Sequence, residues 1–106
     1  MLDLEYLEKI AGHDKILLDS LLDQFLQTTK QDLIELQTAV EEKNISTIKA
    51  LVHRIKGAAV TVGAGELESI LAAIETSPDN SSEFYQTHLE KACQSFDSLS
   101  QEMKKL

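Results

Sequence analysis

The chain has 106 residues, with 18 Asp plus Glu against 10 Lys plus Arg, one Cys, one Pro and no Trp, which fits one domain around one core and excludes an intramolecular disulfide framework. A net charge of −8 argues against general nucleic-acid binding, which needs a basic footprint. No run approaches the roughly 18 apolar residues that a spanning helix needs.

Scarce Gly and Pro, few aromatics and long stretches of Leu, Glu, Lys, Gln and Ala predict helix throughout. A short first helix is predicted over Leu2 to Ala11, with Leu4, Leu7 and Ile10 or Ala11 on one side; Gly12 suits its end and Asp14 the next cap. Leu18, Leu22, Phe25, Thr29, Leu33, Leu36 and Val40 form an apolar stripe at spacings of three and four. They mark a long second helix from Lys15 to Glu42. After Lys43-Asn44, with Asn44 or Ser46 as cap, a third helix carries Ile48, Leu51, Val52, Ile55, Ala58, Ala59 and Val62. Gly63-Ala64-Gly65 predicts a tight reversal. A fourth helix over Glu66 to Thr76 buries Leu67, Ile70, Leu71 and Ile74. The Ser77–Ser82 loop precedes a last helix over Glu83 to Lys104, with Tyr85, Leu89, Ala92, Phe96, Leu99 and Met103 inward. The predicted class is all-α: an antiparallel four-helix bundle with an additional short N-terminal helix.

The charge is unevenly spread. Between Glu42 and Glu66 lie 23 residues without an Asp or Glu, where even sharing would put about four. Lys43, Lys49, Arg54 and Lys56 all fall in this window. On the third helix the apolar stripe centres near Ile48 and Ile55. His53 then points about 150° from it, towards solvent. Lys49, Ala50, Lys56, Gly57 and Val60 share that outward face. A mid-helix Gly57 costs about 1 kcal/mol against Ala and admits a close approach from outside. Two ammonium groups flank the imidazole, with no carboxylate expected beside it, an arrangement suited to a group that acquires phosphate. Ala50 and Val60 add a shallow apolar patch.

His53 has no His, Cys or carboxylate at i±3 or i±4 to make a metal site, and no visible nucleophile for a hydrolytic triad. An exposed imidazole with an ordinary pKa of about 6.5 is itself a nucleophile at pH 7. Solvated surface His and Lys are the bland alternative for each of these side chains. His13 is expected in a loop. His88 and Cys93 flank the inner stripe of the last helix, where a part-buried inert thiol is expected.

The run Val52-His53-Arg54-Ile55-Lys56-Gly57-Ala58-Ala59, followed by Val62-Gly63-Ala64 and Leu67, resembles the signature of histidine-containing phosphotransfer (HPt) domains. The resemblance continues through Leu71 to Ile74-Glu75, includes Phe25 and Leu36 to Val40 upstream, and covers Leu4 to Glu75; the last helix matches in pattern alone. Val60 and Thr61 depart from it locally. It implies that His53 is the phosphorylated residue, taking a phosphoryl group from a receiver-domain aspartyl phosphate and passing it to another receiver. Lys56 and Gly57 match positions beside the site, and Gly63 matches the turn. Lys49 is a geometric candidate for binding phosphate or partner, with Ala50 and Val60 on the same surface.

The expected protein is then a monomeric cytoplasmic phosphocarrier without kinase activity of its own. It has no P-loop and no cofactor or metal of its own, with Mg²⁺ on the partner receiver. Response-regulator receivers are the implied partners, together with a hybrid sensor histidine kinase if the chain is that kinase's cytoplasmic module. The rival reading is a helical module that docks a receiver or kinase without accepting phosphate.

Overall fold

Every connection in this chain is short, so each helix must pack beside the one before it. The computed structural model describes residues 3–105; Leu2, at the predicted start of the first helix, lies outside them. Five helices follow in order: α1 (Leu4–Ala11), α2 (Lys15–Glu41), α3 (Ile45–Thr61), α4 (Gly65–Thr76) and α5 (Ser82–Lys104). Four of them begin where a short polar side chain precedes an apolar period. Asp3, Asp14, Asn44 and Ser81 each accept a hydrogen bond from the backbone N–H three residues on, at 3.0–3.2 Å. Such a cap is worth about 1 kcal/mol. The cap of α3 is Asn44, one of the two candidates. The N-cap of α4, Ala64, offers no side-chain hydrogen bond, and Glu66 and Glu68 in the first turn offset the helix dipole instead.

α2 packs against α3 and α5, and α4 also packs against α3 and α5, which closes a four-helix ring; α1 lies on α2. The ring is elongated, 43 × 21 × 20 Å, and the 27-residue α2, about 40 Å long, spans it. One apolar cluster fills it, from Leu7 and Phe25 through Ile48, Val52, Ile55, Leu67 and Leu71 to Phe96 and Leu99. Phe25 and Phe96 meet across the α2–α5 seam with ring centroids 6.2 Å apart.

The apolar periods place most inward residues as predicted. In α1 Leu7 and Ala11 are buried and Ile10 is exposed, which settles that alternative. Leu18, Ala58 and Ile70 sit at the margin of the core. α4 takes in Gly65 and α5 takes in Ser82, so the reversal is shorter than the Gly-rich run suggests. Gly63 makes it, with φ +70°. A Cβ there would meet the Tyr6 ring at 2.9 Å and Asp3 Cβ at 3.3 Å. This turn is therefore the seat against which α1 closes one end of the bundle.

Candidate functional site

α3 is the helix on which the site stands. Its inner residues Ile48, Val52, Ile55 and Ala59 are at most 1% exposed, which fixes the helix rotation and turns the opposite face outward. On that face Ala50, His53, Gly57 and Val60 are exposed, while Lys49 and Lys56 are half-buried. The His53 side chain is 78% exposed. A Cβ at Gly57 would touch nothing within 4 Å, so this glycine relieves no packing inside the molecule; what it leaves open lies outside. The structure thus gathers all six candidate residues on one side of α3.

It also corrects one expectation. No carboxylate was expected near His53, yet Glu75, from the last turn of α4, reaches across the helix seam to it. Glu75 Oε2 lies 2.9 Å from His53 Nδ1 and Glu75 Oε1 accepts from Lys56 Nζ at 2.6 Å. The hydrogen bond from Lys56, then that of His53, holds the Glu75 carboxyl below its ordinary range, against an opposing push from burial. At neutral pH Glu75 is therefore a carboxylate, which can only accept. The hydrogen on His53 must sit on Nδ1, and the lone pair of the neutral ring is left on Nε2, facing away from Glu75. One carboxylate fixes the tautomer and aims the nucleophilic nitrogen outward. In the sequence Glu75 follows Ile74 at the end of the stretch that resembles the family, and nothing there gives it a role. Its contact spans 22 residues and depends on the antiparallel register of α3 and α4.

The other flank of α3 is held in a similar way. Arg54 donates to both oxygens of Asp32 on α2, at 2.7 and 3.1 Å, and to Glu35 at 3.1 Å. These partners raise the Arg54 pKa further, Asp32 most of all. Asp32, whose side chain is 8% exposed, is the one charged residue among the buried described residues.

The remaining titratable candidates stand apart. His13 is in the α1–α2 turn with φ +66°. His88 Nδ1 lies 3.0 Å from the carbonyl oxygen of Phe84, and its ring stacks on that of Phe84 at 4.2 Å. Burial, followed by the nearby Asp97 charge, raises the Cys93 thiol pKa, which disfavours the reactive thiolate. Among the described residues no group of three or more His, Cys, Asp and Glu is placed to hold a metal ion, and no helix is long and apolar enough to cross a membrane.

A family model, the Hpt domain, matches residues 20–105. The chain belongs to the Hpt domain family. The match takes in α5, beyond the stretch where local resemblance was seen, and begins inside α2, so α1 lies outside it. No curated protein and no solved structure matches the chain at a significant level. Membership of the Hpt family implies phosphotransfer in phosphorelay signalling, with receiver domains as the family's interaction partners.

Proposed function

We propose that His53 is the phosphoryl-carrying residue of this Hpt domain, and that the domain relays phosphate between receiver domains. The observation that carries this reading is the pairing of an exposed His53 with Glu75, which leaves Nε2 as an outward nucleophile. Enzyme sites for small molecules are concave and bury most of the substrate. His53 instead stands on an open helix face, so its phosphoryl donor must arrive on a surface that covers it. A receiver domain does so.

In the transfer, the Nε2 lone pair forms a bond to phosphorus as the phosphorus–oxygen bond to the receiver's aspartate breaks; the electron pair leaves with the aspartate carboxylate. The ring keeps its Nδ1 hydrogen and gains positive charge, which the Glu75 carboxylate stabilises at 2.9 Å. Passage to a second receiver retraces these steps. Positioning and electrostatics are most of what such a reaction requires. Gly57 clears the approach, and Ala50 and Val60 form the apolar rim that the partner covers. Mg²⁺ on the receiver would neutralise the phosphoryl oxygens. The domain acts as a monomeric cytoplasmic carrier with no kinase activity of its own.

The test is to mix the chain with a receiver domain phosphorylated in Mg²⁺ and follow the label. It should move to this chain as an acid-labile, alkali-stable adduct. His53→Gln should keep the helical circular dichroism and the affinity for the receiver but accept no label. Label on the His53→Gln protein, or no transfer from any receiver of the same organism, would overturn the reading.

A further inference from the structure

Across the bundle from the α3–α4 seam that holds His53 and Glu75, the α2–α5 seam carries an open trough. Two hollows, of about 260 and 370 Å³, share Gln37 of α2 and Cys93 of α5 and so join end to end. Together they run from Lys30 to Glu41 along α2, about 16 Å. The floor is apolar, with Leu33 and Phe96 in one hollow and Val40 and Leu89 in the other. These four belong to the core and are only 5–9% exposed. Ile34, on the wall, is 52% exposed, an apolar side chain left uncovered over half its surface.

The two hollows differ in charge. Lys30 and Asp97 line the first and offset each other, whereas Glu41 and Glu90 line the second with no base beside them. None of these four is in an ion pair among the described residues. Two unpaired carboxylates attract a cation and repel the phosphates of nucleic acid and of anionic membranes. An extended peptide on an apolar floor would leave its backbone N–H and C=O groups unpaired, whereas a helix pairs its own. Three helical turns, about 11 residues, match the length. We propose that the α2–α5 trough docks an amphipathic helix of a partner protein, apolar along one stripe and carrying Lys or Arg at the end that lies over Glu41 and Glu90. Such a partner tethers the carrier from behind and leaves the His53 face open to a receiver. That consequence, unlike the docking itself, rests on His53 being the phosphoryl site.

The test uses the whole chain and a synthetic helix of about 14 residues, with Leu along one stripe, Lys in the first two turns, and Ala and Gln elsewhere. Cys93, the single Cys, reports occupancy, because a helix in the trough covers it and slows its reaction with a thiol reagent. The Lys peptide should slow that reaction severalfold. Ile34→Asp, and separately Glu41→Lys combined with Glu90→Lys, should each weaken binding by about tenfold. Thermal melts show whether each variant is folded; the charge-reversed variant, altered only at exposed positions, serves if Ile34→Asp is not. A peptide with Glu in place of Lys should not bind, nor should one of the same composition with the Leu stripe scrambled. Transfer of label from a phosphorylated receiver should be unchanged with the Lys peptide bound. No protection of Cys93 by the Lys peptide, equal protection by either control peptide, or undiminished binding to the folded variants would overturn the docking. Blocked transfer with the trough occupied would overturn the tether. Absence of transfer without any peptide would overturn the His53 reading and leave the docking standing.

Discussion

The two flanks of α3 are built from the same chemistry and have different consequences. On the α2 side, Arg54 makes a two-pronged bond to Asp32, a carboxylate almost sealed from water. On the α4 side, Glu75 is 27% exposed and shared between a lysine and an imidazole. The Asp32 pair holds α3 in place and touches no group that takes part in transfer. The Glu75 pair includes a ring whose hydrogen can sit on either nitrogen, so the carboxylate there selects a chemical state as well as a position. A carboxylate beside a helix is thus structural or functional according to what it holds.

Substituting the two acids separates these roles. Glu75→Ala removes both the acceptor for Nδ1 and the charge that stabilises the ring during transfer. It should slow phosphotransfer from a receiver at least about tenfold, by analogy with carboxylates that orient a reactive imidazole. Glu75→Gln keeps an acceptor without the charge and should fall between Ala and wild type. Rapid-quench measurement of label transfer checks both. Equal rates for Glu75→Ala and wild type would remove the tautomer argument.

Between the flanks runs the open strip of Gly57. Gly57→Leu should slow transfer severalfold by obstructing the approach, whereas Gly57→Ala should stabilise the fold by about 0.5–1 kcal/mol through helix propensity. Urea unfolding together with the transfer assay reads both effects. Unchanged transfer in the Leu variant would mean that the partner does not come close at this point. Asp32→Ala should do the reverse of Glu75→Ala. It leaves Arg54 to solvent and Glu35, lowers the thermal midpoint by a few degrees, and keeps transfer within about twofold of wild type.

The helices were legible because each inward residue recurs at three or four, and caps and breaks fall between the runs. The outward placement of His53 followed from the same geometry, since the burial of Ile48 and Ile55 fixes where residue 53 must point. What stayed hidden were contacts between helices. Asp32 reads as an ordinary polar residue on α2, and its burial becomes intelligible only when Arg54 is seen opposite. Glu75 lies outside the acid-free window and on another helix, so the charge pattern along α3 does not point to it. The window remains a mark of the site, but its positive charge is not free. Glu75, Asp32 and Glu35 supply from neighbouring helices the acids that α3 lacks.

The smallest effect expected of this flank concerns stability, and its sign follows from the lowered Glu75 pKa. In the unfolded chain Glu75 titrates near the ordinary glutamate value of about 4.3; in the folded chain Lys56 and His53 keep it ionised to lower pH. Between those two values the unfolded state binds more protons, so acid favours unfolding there. The contribution of Glu75 is fully present above about pH 4.3 and disappears as pH falls through the folded value. Glu75→Gln lacks that titration. Its urea midpoint should lie slightly below that of wild type at pH 6, by the small margin expected of a partly solvated pair. The two curves should converge as the pH is lowered through the acid range. A gap that stays constant to pH 3 would assign the stabilisation to packing of the side chain instead of to its charge, and would leave Glu75 resembling Asp32 more than the contrast between the flanks allows.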